Sequence, residues 1–230
     1  MARVSRASAA SDGWSEDRKV LIVDDEVFVR NLIKRVVNRI GILLTVEAAD
    51  TATARAGLER FQPDVVILDI NMPGETGLHL LQAVRSGETV AKRDLPVIIL
   101  TSLGGDEILS AALELDANAF VSKGEGFQSL ADRLRRAVLE PIELAGAETY
   151  AAVDLAAAVV MPSADETPAT QYFDDGLRAT ADKLVPGKQL PADLLTQTGQ
   201  RLLTKGTVIT DAMCKRISDI EETFGLRWGA

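Results

Sequence analysis

Residues 64–74 read DVVILDINMPG, which has the pattern of a buried strand followed by a turn. A continuous apolar run ends at the carboxylate of Asp69, and the residues NMPG (71–74) then break the run. A short run that is apolar at consecutive positions is typical of a strand buried on both faces of a parallel sheet. The fold class therefore depends on whether the chain on either side supplies similar strands and the helices that cover them.

The flanking sequence alternates between such strands and segments with helical spacing. The other strand candidates are KVLIV (19–23), LLTVEAA (43–49), LPVIILTS (95–102) and ANAFVSK (117–123). The helix candidates cover residues 27–40, 51–61, 77–85, 106–115 and 127–140. Buried strands that alternate with helices predict an α/β fold with a doubly wound, five-stranded parallel sheet.

Composition and charge restrict the class of function. Of the 230 residues, 47% are hydrophobic and 26% charged, which is ordinary for globular domains. A net charge of −9 makes nucleic acid and anionic membranes unexpected partners. One Cys fits a reducing compartment, and one His excludes sites that need two imidazoles. Since no segment is typical of a membrane span or a secretory signal, we expect a cytoplasmic protein.

Polar side chains follow four of the five predicted strands. In doubly wound sheets, ligands bind beyond the carboxyl ends of the strands. The sequence places there Asp24, Asp25, Glu26, Asp69, Thr101, Ser102 and Lys123. Clustered carboxylates repel one another unless a cation joins them, and oxygen ligands suit Mg²⁺. Beside such an ion, ionised Asp69 could attack a phosphoryl group, while Thr101 and Lys123 stabilise the transferred oxygens.

Four motifs at these strand ends resemble the receiver domain of two-component response regulators. They are LIVDDE (21–26), VVILDINMPGETG (65–77), VIILTS (97–102) and AFVSKG (119–124). The resemblance covers about residues 19–140 and implies a flavodoxin-like sheet with the strand order 2-1-3-4-5. It implies that Asp69 is the phosphoacceptor. The implied Mg²⁺ ligands are Asp24, Asp25, Asp69 and the backbone carbonyl of Asn71. The implied phosphate-binding and switch residues are Thr101, Ser102, Phe120 and Lys123.

Two positions depart from the common receiver pattern. Gly124 follows Lys123 where most receivers have Pro, so the loop after the fifth strand lacks the fixed geometry of Pro. Phe120 lacks the hydroxyl of the commoner Tyr, so any switching there would work through ring packing.

The chain beyond residue 140 has a different composition. We expect a solvated tail over 1–18, the receiver over 19–140, a helix (148–161) and linker over 141–172, and a small β-plus-helix module over 173–230. Residues 194–203 favour a hairpin, and Thr210 is a predicted N-cap. The helix that follows has an apolar stripe of Met213, Ile217, Ile220 and Phe224.

The module also resembles the short β module that precedes the catalytic domain in some HD-GYP cyclic-dinucleotide phosphodiesterases. The shared pattern is PG…L…D…G…LL.KGT.IT. The chain ends where that catalytic domain would begin, and one His could not supply its metal site. Only the shape of the module is therefore expected to carry over.

The leading hypothesis is a response regulator in a two-component phosphorelay. A sensor histidine kinase or phosphotransfer protein would phosphorylate Asp69 and so change the contacts with a protein effector or within a homodimer. We expect no enzymatic activity beyond Mg²⁺-dependent self-catalysed phosphotransfer and dephosphorylation. One alternative is a phosphate sink or relay without a dedicated output. The other is a Mg²⁺-dependent phosphohydrolase of small phosphates, which the order of the motifs disfavours.

Overall fold

The computed structural model describes residues 17–101, 106–123, 127–140, 142–156, 183–196 and 201–229. The first part of the chain alternates strands and helices in the order β1 (Lys19–Val23), α1 (Val27–Arg39), β2 (Leu44–Ala48), α2 (Thr51–Phe61), β3 (Val65–Asp69), α3 (Gly77–Ser86), β4 (Val97–Thr101), α4 (Asp106–Glu114), β5 (Ala119–Ser122) and α5 (Phe127–Leu139). The strands form one parallel sheet in the order β2-β1-β3-β4-β5. The predicted fold class and strand order are confirmed.

Each face of the sheet packs against its own set of helices. In β1, Leu21 and Val23 belong to the apolar cluster of α2, α3 and α4. Val20 and Ile22, which alternate with them, belong to the cluster of α1 and α5. Every residue of β3 and β4 is buried. Because both faces of these two strands are covered, their sequences are uninterrupted apolar runs.

A fully buried arginine at the end of α3 fixes two loops of this domain. Arg85 Nη1 donates to the carbonyl oxygens of Arg93 (2.6 Å) and Leu95 (2.9 Å). Its Nη2 donates to the carbonyl oxygen of Asp116 (3.0 Å) and to Oδ1 of Asn118 (2.9 Å). Burial lowers the pKa of Arg85 to about 10, although the charge of Asp116 acts in the opposite direction. The guanidinium joins the segment before β4 to the segment before β5.

The remaining described residues form a short helix, α6 (Ala147–Ala151), and a small antiparallel unit. The unit comprises β6 (Leu194–Thr196), β7 (Arg201–Leu203), α7 (Asp211–Phe224) and β8 (Leu226–Trp228), with the strand order β7-β6-β8. Residues 183–229 are called the C-terminal module below. β6 and β7 pair antiparallel, as expected of the two strands of the predicted hairpin. Thr210 Oγ1 accepts a hydrogen bond from the Met213 amide at 3.1 Å, as expected for an N-cap. The sequence did not indicate β8, which pairs with β6.

The single helix expected over 148–161 is wrong, because α6 ends at Ala151. The side chain of Gln82 in α3 donates to the carbonyl oxygens of Tyr150 (3.0 Å) and Val153 (2.8 Å). The Tyr150 side chain is buried, and its hydroxyl donates to Oδ2 of Asp116 at 2.5 Å. Gln82 thus binds carbonyl oxygens that a longer helix would use for its own backbone hydrogen bonds.

Two predicted segments lie mainly outside the described residues. One is the part of the expected linker that follows residue 161, and the other is the tail over 1–18, of which only residues 17 and 18 are described. Among the helices that are described, none combines the length and the apolar character that a membrane span requires.

Candidate phosphoacceptor and metal site

Three carboxylates meet at the carboxyl ends of β1 and β3. The register pairs Val23 of β1 with Leu68 of β3, so the residues that follow β1 lie beside the last residue of β3. Oxygen atoms of Asp24, Asp25 and Asp69 all lie within 4.8 Å of one another. The structure thus brings together the three acidic residues that the sequence singled out.

Lys123 closes this cluster from the side of β5. Its Nζ lies 2.9 Å from Oδ2 of Asp24 and 3.0 Å from Oδ2 of Asp69. Oε1 of Glu26 is 3.3 Å from the same nitrogen. The Lys123 amide donates to the carbonyl oxygen of Thr101 at 2.9 Å, which ties the lysine to the end of β4. One ammonium group therefore offsets the repulsion between two buried carboxylates.

The electrostatics of the cluster favour a bound cation. Burial raises the pKa of Asp69, against the opposing hydrogen bond and charge of Lys123. Burial likewise raises the pKa of Asp24, although Lys123 and the Glu26 amide, 2.8 Å from Asp24 Oδ1, oppose the shift. For Lys123, burial lowers the pKa, but its hydrogen bonds to Asp24 and Asp69 and their charges outweigh burial and raise it. The ammonium stays charged, and ionising both carboxylates requires positive charge nearby.

The donor set fits Mg²⁺. The cluster offers only carboxylate oxygens, which suit a hard ion. Small side-chain movements would bring oxygens at this spacing around an ion that binds them at about 2.1 Å. Asp24 and Asp69 are buried while Asp25 is half-buried, so one side of the cluster can accept the waters that Mg²⁺ keeps. The contribution of the Asn71 carbonyl stays a prediction.

The loop after β3 fixes Asp69 from the opposite side. The Asn71 amide donates to Oδ1 of Asp69 at 3.2 Å. The Gly77 amide, at the start of α3, donates to the carbonyl oxygen of Ile70 at 3.1 Å. A Cβ atom built on Gly77 would lie only 2.1 Å from the carbonyl oxygen of Asp69. The close approach of α3 to β3 therefore requires glycine at this position.

The predicted switch residues have different surroundings. Thr101 is buried at the end of β4 and pairs with Ser122 of β5. Phe120 is fully buried, and its amide donates to Oδ2 of Asp219 in α7 at 3.4 Å. Ser102 and Gly124 lie outside the described residues. The structure therefore places Thr101 at the carboxyl ends of the strands, where Asp69 also lies, and Phe120 against the C-terminal module.

Sequence reasoning missed the role of Asp219. This carboxylate is 2% exposed and forms ion pairs with Arg133 and Arg136 of α5. The pattern of α7 held no signal for its burial, because at about 100° per residue Asp219 lies roughly 130° away from the apolar stripe of the helix. The arginines that pair with it lie on α5, far earlier in the chain.

Several known proteins are similar to about half of this chain. The chemotaxis protein CheY of Pseudomonas aeruginosa is 35% identical over 118 residues, which cover 51% of this chain and 94% of that protein. A solved structure assigned to the response regulators, from Chloroflexus aurantiacus, has a TM-score of 0.50 at 27% identity. The alignment covers 54% of this chain and 99% of that one.

A further relative is named as an enzyme. The protein-glutamate methylesterase/protein-glutamine glutaminase 3 of Rhodospirillum rubrum is 38% identical over 130 residues, or 55% of this chain. The aligned part spans only 34% of that relative's own length. The expectation that the protein has no enzymatic activity is contradicted by this relationship, because receiver domains also belong to enzymes.

The family comparison covers the sheet and its helices. Residues 20–135 match the model of the response regulator receiver domain. The match begins in β1, ends in α5 and contains the acidic cluster and Lys123. This chain therefore belongs to the response regulator receiver family.

Proposed function

We propose that this protein is a response regulator that accepts a phosphoryl group on Asp69 and thereby changes its contacts with other proteins. The observation that carries the proposal is the position of Asp69. Its buried carboxylate lies in a cluster with Asp24 and Asp25, and its Oδ2 is 3.0 Å from Nζ of Lys123. A nucleophile, two further acidic ligands and a fixed positive charge are what phosphoryl transfer to a carboxylate needs.

In the proposed reaction an oxygen of Asp69 attacks the phosphorus atom of the donor. An acyl phosphate O–P bond forms, the bond between phosphorus and the donor atom breaks, and the donor keeps that electron pair. When bound by Asp24, Asp25 and Asp69, Mg²⁺ supplies positive charge for the phosphoryl oxygens. Lys123 would exchange its contact with Asp69 Oδ2 for one with a transferred oxygen. The Thr101 hydroxyl would donate a hydrogen bond to another of these oxygens.

The start of α1 is the contact that we propose for the phosphodonor protein. Val27 and Phe28 are 61% and 76% exposed and follow the acidic residues directly. Val27 is the first residue of α1, and its side chain is largely open to solvent. Adjacent exposed apolar side chains suit a protein contact. A sensor histidine kinase or phosphotransfer protein bound there could bring its phosphohistidine to Asp69.

The test uses the full chain, acetyl phosphate and Mg²⁺, with intact mass as the readout. We expect wild-type protein to gain one phosphoryl group and the Asp69→Asn variant to gain none. A wild-type protein that gains no phosphoryl group from acetyl phosphate or from any phosphorylated kinase would contradict the proposal. An equal gain in the variant would mean that another residue is the acceptor.

The same protein samples distinguish the proposed function from the phosphohydrolase and from the phosphate sink or relay. A phosphohydrolase would turn over a small phosphate ester much faster than Asp69 becomes labelled. A phosphate sink or relay would accept the phosphoryl group without any change in protein binding. Because one relative is named a methylesterase, methanol release from a glutamate methyl ester is measured with and without phosphorylation.

The family match ends at residue 135, before the C-terminal module. The likeness of the module to the β module of HD-GYP proteins therefore stays a proposal about its shape.

A further inference from the structure

A cavity of about 740 Å³ lies between the receiver and the C-terminal module. The receiver lines it with residues from the turn before β5 and from the end of α5, and the segment 142–145 forms a further part of its wall. The module contributes residues 186–187 and 208–210 and the first turns of α7. Cavities of about 300–1,000 Å³ between domains are common sites for small molecules. The size of this cavity therefore suits an organic ligand.

Apolar side chains form much of the lining. They include Ile142, Leu144, Pro186, Val208, Ile209 and Met213. Val208 is 52% exposed although it is apolar. An apolar side chain that is open to solvent beside a cavity suits contact with the apolar body of a ligand. The lining therefore favours an organic molecule over a simple inorganic ion.

Arg216 of α7 lines the cavity and has an unused hydrogen-bond donor. Its side chain is 2% exposed, and its Nη1 forms an ion pair with Oδ1 of Asp116. Its Nη2 is also buried, and no group in the described part of the chain accepts a hydrogen bond from this nitrogen. A buried donor without an acceptor is destabilising and rare in folded proteins. An oxygen atom of a bound ligand would supply the missing acceptor.

The charges buried around Asp116 do not balance. Arg85 and Arg216 are both buried, and every hydrogen bond that Arg85 donates goes to an uncharged oxygen. Burial lowers the pKa of Arg85, and the charge of Asp116 raises it while that of Arg216 lowers it further. The single carboxylate of Asp116 thus interacts with two guanidinium groups. Excess positive charge in a buried site favours an anionic ligand.

The other charged residues of the lining leave this excess in place. Two further cations, Arg136 and Lys215, are paired with carboxylates. The acidic residues Glu143 and Asp211 are exposed, so water and salt screen their charges. The uncompensated charge in the buried part of the lining is therefore positive.

We propose that this cavity binds a small organic anion, a molecule with an apolar body and one carboxylate or phosphate group. The anionic oxygen would accept a hydrogen bond from Nη2 of Arg216, and the body would lie against apolar side chains such as Val208. Asp116 precedes β5 whereas Asp69 ends β3, so the cavity and the acidic cluster lie at opposite ends of the parallel strands. The inference therefore goes beyond the proposed function.

The first test uses anilinonaphthalene sulfonate, a fluorescent probe that joins an aromatic body to one anionic group. The probe is titrated into the full chain, and calorimetry gives the stoichiometry and the dissociation constant. We expect one molecule bound per protein. Arg216→Lys keeps a positive charge beside Asp116 but removes Nη2, the atom proposed to bind the ligand. We expect at least about tenfold weaker binding in this variant.

The second test changes an exposed residue, so it does not depend on whether Arg216→Lys folds. Val208→Glu and Val208→Lys remove the same apolar side chain but introduce opposite charges. We expect Val208→Lys to bind the probe at least about fivefold more tightly than Val208→Glu.

Val185→Glu and Val185→Lys are the matched controls. Val185 is in the same module and is also 52% exposed, but it lies outside the set of described residues that line the cavity. The two control variants should bind the probe with affinities within about twofold of each other.

Competition against the bound probe identifies the anionic group. Benzoate and phenyl phosphate are the competitors, and benzyl alcohol is the uncharged control. Displacement by benzoate, by phenyl phosphate or by both supports the inference and shows which group the site prefers. Equal displacement by benzyl alcohol would overturn it, because the site would then recognise only the apolar body.

The absence of probe binding would overturn the inference. So would equal affinities in wild type, Arg216→Lys and both Val208 variants. Neither result would affect the proposed function, because these experiments contain no phosphoryl donor. A protein that gains no phosphoryl group on Asp69 could still bind the probe, so the two proposals fail separately.

Discussion

Gly77→Ala tests whether the tight junction between α3 and β3 sets the position of the phosphoacceptor. The added Cβ would lie 2.1 Å from the carbonyl oxygen of Asp69 and 3.1 Å from Cα of Ile70. Carbon–oxygen contacts without strain need about 3.3 Å or more. The backbone at the two positions must therefore separate by roughly 1 Å.

The expected cost combines two effects. Overpacking in a close-packed site costs about 1–3 kcal/mol. Moving α3 away also weakens the hydrogen bond from the Gly77 amide to Ile70, which contributes about 1 kcal/mol. We expect a loss of about 2–4 kcal/mol in the free energy of unfolding, measured by urea denaturation. A typical domain has about 5–15 kcal/mol of stability, so the variant should still fold.

The same displacement should impair phosphorylation. A misplacement of about 1 Å in a reacting group can reduce a rate about 100-fold. Intact mass measured over time with acetyl phosphate and Mg²⁺ gives this rate for the folded variant.

Gly74→Ala in the same loop is the control. Gly74 has φ of +83°, and a Cβ there would meet nothing within 4 Å. Alanine should cost about 1–2 kcal/mol through backbone strain and leave the phosphorylation rate nearly unchanged. If Gly77→Ala were as stable and as rapidly phosphorylated as wild type, the junction would not position Asp69.

Three further substitutions test the metal site, the donor contact and the acid stability. Mg²⁺ at 100 times its dissociation constant should stabilise wild-type protein by about 2.7 kcal/mol and so raise its unfolding temperature. Asp25→Asn should abolish most of this rise. Phe28→Ala should slow phosphotransfer from the histidine kinase and leave the acetyl phosphate rate unchanged; equal slowing of both would refute the docking role. The hydrogen bond from Thr51 (2.6 Å) and the charge of Arg55 lower the pKa of Glu75. Ionised Glu75 thus stabilises the fold above its ordinary pKa of 4.5, and this contribution is lost as the pH falls through the lowered value. In urea denaturation, Glu75→Gln should show a smaller loss of stability over that acidic range, and an unchanged pH profile would contradict this assignment.

The receiver could be predicted from sequence because its signals are local. Strand β3 occupies Val65–Asp69 within the run DVVILDI (64–70). Both faces of this strand are covered, so the run is apolar at consecutive positions and can be recognised in the sequence. The predicted helix over 51–61 coincides with α2, whose N-cap, Asp50, accepts a hydrogen bond from the Thr53 amide at 2.7 Å. Strand ends were less accurate: the run 95–102 contains β4 only over Val97–Thr101. The Leu95 amide donates to Lys92 in a turn and does not join the sheet.

The docking of the C-terminal module could not be predicted because its contacts are distant in sequence. Arg216 pairs with Asp116, 100 residues earlier, and Asp219 pairs with Arg136, 83 residues earlier. Periodicity indicates which face of a helix is apolar, but not which surface will cover it. For the same reason, helical spacing could not show that Val27 at the start of α1 is exposed.

The buried guanidinium of Arg85 has a consequence for how this protein can be divided. It holds the carbonyl of Asp116, while the carboxylate of Asp116 binds Tyr150 of α6 and Arg216 of α7. One residue of the receiver therefore anchors both segments that follow it. Helix α7 also packs against β5, the last strand in the order of the described sheet. A chain cut after α5 would keep every residue of the acidic cluster, but would expose the Asp116 carboxylate and the outer edge of β5 together. Such a fragment should self-associate through that edge, so the smallest well-behaved unit of this protein is longer than its family domain.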